Sequence, residues 1–335
     1  MEERKALRRA ITLDLGGTHF RVAVGTGDGI IEWRVSRPTR AERGRDVVLQ
    51  DLFDTVDEAL ATVSDCKTVK GIAIGVPGPL DPWTGVLHNP PNLPGWKTVP
   101  IKQLFEGRYD LPTTVGNDAN LAAVGEHQYG AGRGIANLVY VTVSTGIGGG
   151  IIANNQLLLG HHGFSGEIGH MTIDVRGPVC GCGNVGCLES IASGTAIARS
   201  ARNWVASGAA TVLDRMDQSQ ITARMVTEAA SQGDQVATQI LREAGAALGV
   251  GMVNLIHLLN PQRIIIGGGV SNAGPLLWDS MLETVKKRAF APCQQGLEIV
   301  RASLADDAGL LGGVALIATD LYSHTTQGIH DAAAE

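Results

Sequence analysis

In the first half of the chain, apolar residues come in short continuous runs broken by glycine turns, with one long stretch of helical spacing between them. Residues 11–15 are apolar and β-prone, the run breaks at Gly16-Gly17-Thr18, and it resumes over 20–24. Strand, tight turn, strand is the predicted arrangement. A third strand is expected over 30–35. Over 46–63 the apolar positions Val48, Leu49, Leu52, Phe53, Val56 and Leu60 recur with the spacing of one helix face. The run over 69–76 reads as a buried strand stopping at Pro77-Gly78-Pro79, and residues 80–100, rich in Pro, Asn, Gly and Trp, are expected to form an ordered loop. A short strand ends at Val115, and a helix opens at Asp118 and runs to 127.

The second half begins like the first. Residues 138–143 form an apolar run, the glycine turn over 144–150 follows, and Ile151 and Ile152 resume it. This echo hints at two related lobes, each starting with a β-hairpin. Helices are predicted to start at Leu188, Ile221, Asp234 and Pro275. Residues 263–266 read as a buried strand ending in Gly267-Gly268-Gly269, and 308–321 as a final helix, followed from Ser323 by a small, polar, frayed tail.

Length and charge narrow the class. At 335 residues the chain exceeds the usual single core, so two lobes are expected, with a cleft between them as the natural ligand site. Net charge is −6 with no long Lys/Arg run, which removes the footprint of a nucleic-acid binder. A bound phosphate must then be held by backbone, and the 44 glycines, clustered in turns, supply close approach points. Residues 1–10 are charged without the apolar core of a signal peptide, and no run reaches membrane-span length, so no membrane partner and a cytoplasmic location are expected. Cys66 and Cys293 show no pairing pattern, which suits a reducing compartment, and are assigned no role.

The densest chemistry lies in Gly166-Glu167-Ile168-Gly169-His170 and in the run from Cys180 through Cys182 and Cys187 to Glu189. Three thiolates and one imidazole, His170 with Cys180, Cys182 and Cys187, fill a tetrahedral zinc shell, and a closed shell implies a structural ion. The competing reading, buried or disulfide-linked cysteines, fits Cys-x-Cys with a third Cys five residues on much less well. Glu167 and Glu189 flank this segment. They are either solvated carboxylates or, if the metal fixes the loop, rigid acceptors for the vicinal hydroxyls of a sugar. With one ring nitrogen on the metal, the other nitrogen of His170 becomes a fixed donor.

Other candidates stand at strand ends. Asp14-Leu15-Gly16-Gly17-Thr18 is either an ordinary hairpin or a phosphate turn whose Asp14 faces magnesium or its waters. The further turns at Thr145-Gly146 and at Gly268 favour a nucleotide held by backbone. Neither the P-loop nor the dinucleotide-binding pattern is present. Asn117-Asp118 is either a helix cap or, with Asp118 facing the cleft, a general base for a substrate hydroxyl. Asn92 is either a turn residue or a further amide for the ligand.

Several of these segments together, Gly166-Glu167-x-Gly169-His170 and Cys180-x-Cys182-Gly183-x-x-Gly186-Cys187-x-Glu189 above all, resemble the ROK group (repressors, open reading frames, sugar kinases) of the actin-like ATPase superfamily. Asp14-x-Gly16-Gly17-Thr18, Gly75-x-Pro77-Gly78, Asn117-Asp118-Ala119-Asn120 and Ile266-Gly267-Gly268-Gly269 occur in the expected order, so the resemblance covers nearly the whole chain. It implies an α/β, two-lobed, actin-like (ribonuclease H-like) fold with a zinc-binding loop. The small lobe would comprise 1–118 and 308–335, and the large lobe 119–307.

By that resemblance Asp118 is the catalytic base. Asn117, Glu167, His170 and Glu189 serve the sugar, and Gly78 of the Gly75-x-Pro77-Gly78 motif and Asn92 of the ordered loop are expected to join them. Asp14, Gly16, Gly17 and Thr18 form the first phosphate motif, Thr145 and Gly146 the second, and Gly268 the adenosine side. His170, Cys180, Cys182 and Cys187 hold zinc. His19-Phe20 departs from the Lys-aliphatic pair of many bacterial members, so no lysine contact to phosphate is expected there.

The implied activity is ATP- and magnesium-dependent phosphorylation of a hexose 6-hydroxyl, glucose first, with lobe closure hinged near Asn117. N-acetylglucosamine, N-acetylmannosamine, fructose or mannose as acceptor, and polyphosphate as donor, stay open. The different-class alternative is a non-catalytic sugar-responsive regulator. Repressors of the group carry an N-terminal helix-turn-helix, and the thirteen residues before Asp14 are too few for one. Analogy implies a homodimer or homotetramer.

Overall fold

The computed structural model describes residues 7–319. The chain forms two compact units: one holds the residues up to 136, 150–165 and those from 303, the other 137–149 and 166–302. The expectations for residues 1–6, the end of the last helix and the tail from Ser323 lie outside the described residues.

In the first unit, β1 (Arg9–Leu15), β2 (His19–Thr26) and β3 (Ile31–Pro38) are followed by α1 (Arg45–Ala61) and β4 (Val69–Val76). Next come α2 (Ile101–Tyr109), β8 (Thr113–Asn117) and α3 (Asp118–Tyr129). The sheet runs in the order β3-β2-β1-β4-β8. β1 and β2 pair antiparallel through the predicted hairpin, while β4 runs parallel to both β1 and β8. Parallel strands covered on both faces need apolar side chains on both. Ile11, Leu13 and Leu15 accordingly cluster with Val48, Leu52 and Val56 of α1, and Ala10 with Val314 and Ala318 of α9 (Ala308–Ala318).

The register sets the functional end of this sheet. Asp14 pairs with Gly75, Gly75 with Gly116, and Val76 with Asn117. Asp14, the Pro77-Gly78 turn and Asn117-Asp118 therefore all sit at the carboxyl ends of parallel strands, where open α/β sheets bind ligands.

The segment expected to be a plain loop is more regular. β5 (Leu80–Asp81), β6 (Val86–His88) and β7 (Thr98–Pro100) form a small antiparallel sheet. Leu87, Leu93, Trp96 and Val99 from this stretch are buried with the main core. They are too widely spaced to show a period of two.

The lobe boundary predicted at 118/119 falls instead at 136/137, and the second at 302/303 rather than 307/308. Packing explains the shift. α3 lies against α9 so closely that a β-carbon on Gly312 would stand 1.7 Å from the Leu121 carbonyl oxygen, which joins α3 to the first unit. The end of β10 (Ile147–Ala153) and β11 (Gln156–Leu157) also belong to the first unit; a β-carbon on Gly150 would meet Ala123 of α3 at 2.6 Å.

In the second unit, β9 (Leu138–Val143), the start of β10, β12 (Arg263–Gly267) and β13 (Glu298–Arg301) give the order β10-β9-β12-β13, with β12 parallel to β9 and β13. This repeats the β2-β1-β4-β8 arrangement of the first unit, as the repeated glycine hairpin suggested. The helices are α4 (Leu188–Ala192), α5 (Gly194–Ala206), α6 (Ala223–Ser231), α7 (Gln235–Leu259) and α8 (Pro275–Arg288). The helix expected from Leu188 is broken because Ser193 leaves helical geometry to cap α5, accepting the Ala196 N–H. α7 is the spine of the unit, and Leu188 of α4 seats against its Gly251. Among the described residues, no helix is long and apolar enough to cross a membrane.

The α3–α9 contact leaves no room for a methyl group. Gly312→Ala should destabilise the protein by about 1–3 kcal/mol, lowering Tm by several degrees in thermal denaturation. An unchanged Tm would contradict this packing.

Candidate functional site

The Gly16-Gly17-Thr18 turn is tightly braced. Gly16 N–H donates to the His19 carbonyl (3.0 Å), closing the hairpin. Thr39 holds it from the side, its hydroxyl donating to the Gly16 carbonyl (2.6 Å) and its N–H to that of Thr18 (2.8 Å). Asn92 lies over the turn, since a β-carbon on Gly17 would stand 2.7 Å from its Cβ. The structure thus brings Asn92, Gly16, Gly17 and Thr18 together, with Thr18 exposed.

Asp14 lies directly across the hairpin from Arg21, and Arg21 Nη2 pairs with Asp14 Oδ2 at 2.7 Å. Nη1 of the same arginine donates to the Asp306 carbonyl at 2.6 Å. Burial raises the Asp14 carboxyl above its ordinary range, and Arg21 pulls the other way. A single, partly buried carboxylate is a hard oxygen donor of the kind that joins substrate phosphates and waters around magnesium. Arg21 shares that carboxylate, a partner the motif reading missed. The available signal was hairpin symmetry, because residues 14 and 21 flank the turn in register.

At the end of β8, Asn117 Oδ1 accepts the Ala119 N–H (2.9 Å) and caps α3. Its Nδ2 lies on the Gly78 side, 3.9 Å from where a Gly78 β-carbon would stand. Asp118 is exposed at the first helical position, with Oδ1 accepting the Ala119 N–H at 2.7 Å. The carboxylate is therefore oriented by the helix N-terminus, where a negative charge is favoured. Asn117 serves as the cap, and Asp118 is an exposed carboxylate at the first helical position.

In the second unit, register pairs Gly267 with Thr142 and seats Gly268 on Val143, whose carbonyl oxygen would lie 2.4 Å from a Gly268 β-carbon. Gly268 and the turn Ser144-Thr145-Gly146 are thereby neighbours. Gly194 N–H donates to the Ser144 carbonyl (2.8 Å), tying the turn to the start of α5.

The thiol-rich segment folds into one knuckle. His170 ends a short 3-10 turn (Ile168–His170), and paired bridges Thr172–Cys187 and Val179–Val185 close the loop. Gly186 must be glycine there, because its φ is 71° and a β-carbon would overlap the Asp174 carbonyl. One ligand atom from each of His170, Cys180, Cys182 and Cys187 falls within 4.8 Å of all the others. Cys182 Sγ and Cys187 Sγ are 3.8 Å apart, as are Cys180 Sγ and His170 Nδ1.

A tetrahedral zinc with sulfur at about 2.3 Å has S···S edges of about 3.8 Å, whereas a disulfide brings sulfurs to about 2.0 Å. The geometry fits a zinc ion and excludes a disulfide. Burial pushes the Cys187 thiol up to about 11, so its thiolate calls for a cation at this point. Asn184, which sequence reasoning passed over, supports the site by donating Nδ2 to Cys187 Sγ at 3.4 Å.

With Nδ1 turned to the sulfurs, His170 directs Nε2 outward, 3.9 Å from Glu167 Oε2. Glu167 and His170 are exposed and adjacent, which is the arrangement expected of hydroxyl ligands. Glu189 differs. Its Oε2 is engaged by the backbone, accepting the Ile147 N–H at 2.9 Å.

The ROK family pattern matches residues 10–320. A glucokinase of Thermotoga maritima is 36% identical over 311 residues, covering 92% of this chain and 97% of the relative. A xylose repressor of Caldicellulosiruptor bescii is 31% identical over 328 residues, covering 96% of this chain and 81% of the repressor. The solved structure of a ROK family glucokinase from Streptomyces griseus in complex with glucose and AMPPNP is 33% identical, with a TM-score of 0.75 and coverage of 92% and 99%. With its knuckle, glycine turns and strand-end carboxylates in place along one continuous match, this chain belongs to the ROK family.

Proposed function

We propose that this protein is an ATP-dependent hexokinase that transfers the γ-phosphoryl group to the 6-hydroxyl of glucose. The observation that carries the reading is Asp118, an exposed carboxylate locked in orientation by the N-terminus of α3 at the carboxyl end of β8. It accepts the hydroxyl proton as the phosphoryl group transfers, a step that needs no strong base when the transition state is loose. Glu167, His170 and Glu189 hold sugar hydroxyls, with Asn117 Nδ2, Gly78 and Asn92 as further contacts. The backbone of Gly16, Gly17, Thr18, Thr145 and Gly146 receives the phosphates, and Gly268 lies on the adenosine side. Magnesium, when bound through Asp14, supplies charge neutralisation for the phosphates.

Zinc in the His170–Cys180–Cys182–Cys187 knuckle is structural. It fixes the imidazole by Nδ1, leaving Nε2–H as a donor aimed toward the Glu167 side and the sugar. The reading also carries a cytoplasmic location, where ATP is abundant, and a homodimeric or homotetrameric assembly. Similarity to xylose repressors keeps a second reading, a sugar-binding regulator without turnover.

Asp118→Asn retains an oxygen to accept the Ala119 N–H, so the variant should fold. Its kcat should fall roughly a thousandfold, with the sugar Kd from calorimetry changed only a few-fold. Turnover near wild type would remove Asp118 from its role and the reading with it. For the knuckle, elemental analysis should find one zinc per chain. Cys182→Ala should lose the metal, lower Tm by several degrees and weaken sugar binding. Metal-free protein with undiminished sugar affinity would contradict the zinc assignment.

A further inference from the structure

The backbone of one residue in the second unit is gripped on both sides, at its N–H and at its carbonyl. Ile147, the residue immediately after the Thr145-Gly146 turn, donates its N–H to Glu189 Oε2 at 2.9 Å. Its carbonyl oxygen faces Gly169, where a β-carbon would stand only 2.1 Å away. Gly169 lies between Glu167 and His170, and Glu189 follows the last cysteine of the knuckle by two residues. Glu189 Oε2 also covers Gly146 itself, where a β-carbon would lie 2.4 Å from it. Both halves of the thiol-rich segment therefore close on the residue that sets the geometry of the turn.

We propose that Glu189 is a positioning residue for the phosphate turn as well as a sugar ligand, so that acceptor and donor sites are coupled through the Ile147 backbone. The inference rests on the kinase reading for the identity of the two ligands. Two features make the coupling physical. A carboxylate accepting a backbone N–H makes a charge-assisted bond, stronger than a neutral one. The zinc knuckle and the seating of Leu188 on Gly251 leave α4 little freedom to follow a displaced turn. A sugar hydroxyl that draws on Glu189 then acts on the donor turn through a single side chain, and linkage makes the effect reciprocal.

The test is nucleotide binding in the absence of sugar, where a residue acting only on sugar has no influence. Calorimetry with magnesium and AMPPNP is run on the full-length, zinc-loaded protein for wild type, Glu189→Ala and Glu189→Gln, alongside amide hydrogen exchange at Ile147. Glu189→Ala should weaken sugar-free AMPPNP binding by about tenfold and deprotect the Ile147 amide. Glu189→Gln, whose amide oxygen can still accept the bond, should retain most of both while losing sugar affinity. Unchanged AMPPNP affinity and unchanged Ile147 protection in Glu189→Ala overturn the proposal.

If Glu189→Ala does not fold, Gly169→Ala, which disturbs Ile147 without touching either ligand, must weaken sugar-free AMPPNP binding; no effect overturns the proposal. If wild type binds sugar but no nucleotide, the kinase reading fails. Ile147 exchange alone then decides the grip, with slow exchange in wild type and fast exchange in Glu189→Ala supporting it and equal rates refuting it.

Discussion

The convergence of His170, Cys180, Cys182 and Cys187 on one point is the constraint from which the second unit's functional geometry follows. Three thiolates at zinc-shell spacing repel one another, and a bound cation would turn that cost into a rigid cross-link. The knuckle has no regular secondary structure beyond two bridges and a 3-10 turn, and the Leu188 N–H, donating to the Met171 carbonyl at 2.9 Å, ties the turn that carries His170 to the start of α4. Once the loop is closed, Nε2 of His170 points toward Glu167, α4 starts immediately after Cys187, and Glu189 reaches the Ile147 amide. A metal cross-link here would hold Glu167 and Glu189 in fixed positions, and Glu189 in turn holds the Ile147 amide beside the Thr145-Gly146 turn.

The first unit reaches the same end by other means. There a β-hairpin and two parallel strands carry Asp14, Gly78 and Asn117-Asp118 to one edge of the sheet by register alone, and the α3–α9 contact fixes the helix whose N-terminus orients Asp118. The two units repeat one strand pattern but brace their strand-end loops differently: hydrogen bonds from Thr39 in one, and the knuckle in the other.

What could be read from the sequence follows the range of each interaction. The convergence of His170, Cys180, Cys182 and Cys187 was legible because they lie within 18 residues of chain, counted from His170 to Cys187, and their chemistry is scarce. The strand–glycine–strand units were legible because both members of each hairpin are adjacent. The Asp14–Arg21 pair was within reach of hairpin symmetry but needed the register to be certain of which residues face each other. Contacts between distant segments left no periodic trace. Glu189 and Ile147 are separated by 42 residues, and Gly312 meets Leu121 across most of the chain. The boundary expected at 118 was misplaced for the same reason: α3 follows a strand end in sequence, yet its partner helix is the last of the described residues. In residues 80–100, turn residues masked three strands too short to show alternation.

If these residues form a sugar kinase, ADP release from magnesium-ATP, assayed across a panel of hexoses and N-acetylhexosamines, depends on added sugar and is fastest with glucose. Binding of a sugar from the panel by calorimetry, with no ADP formed above the sugar-free rate, would contradict the kinase reading and identify a sensor in place of an enzyme.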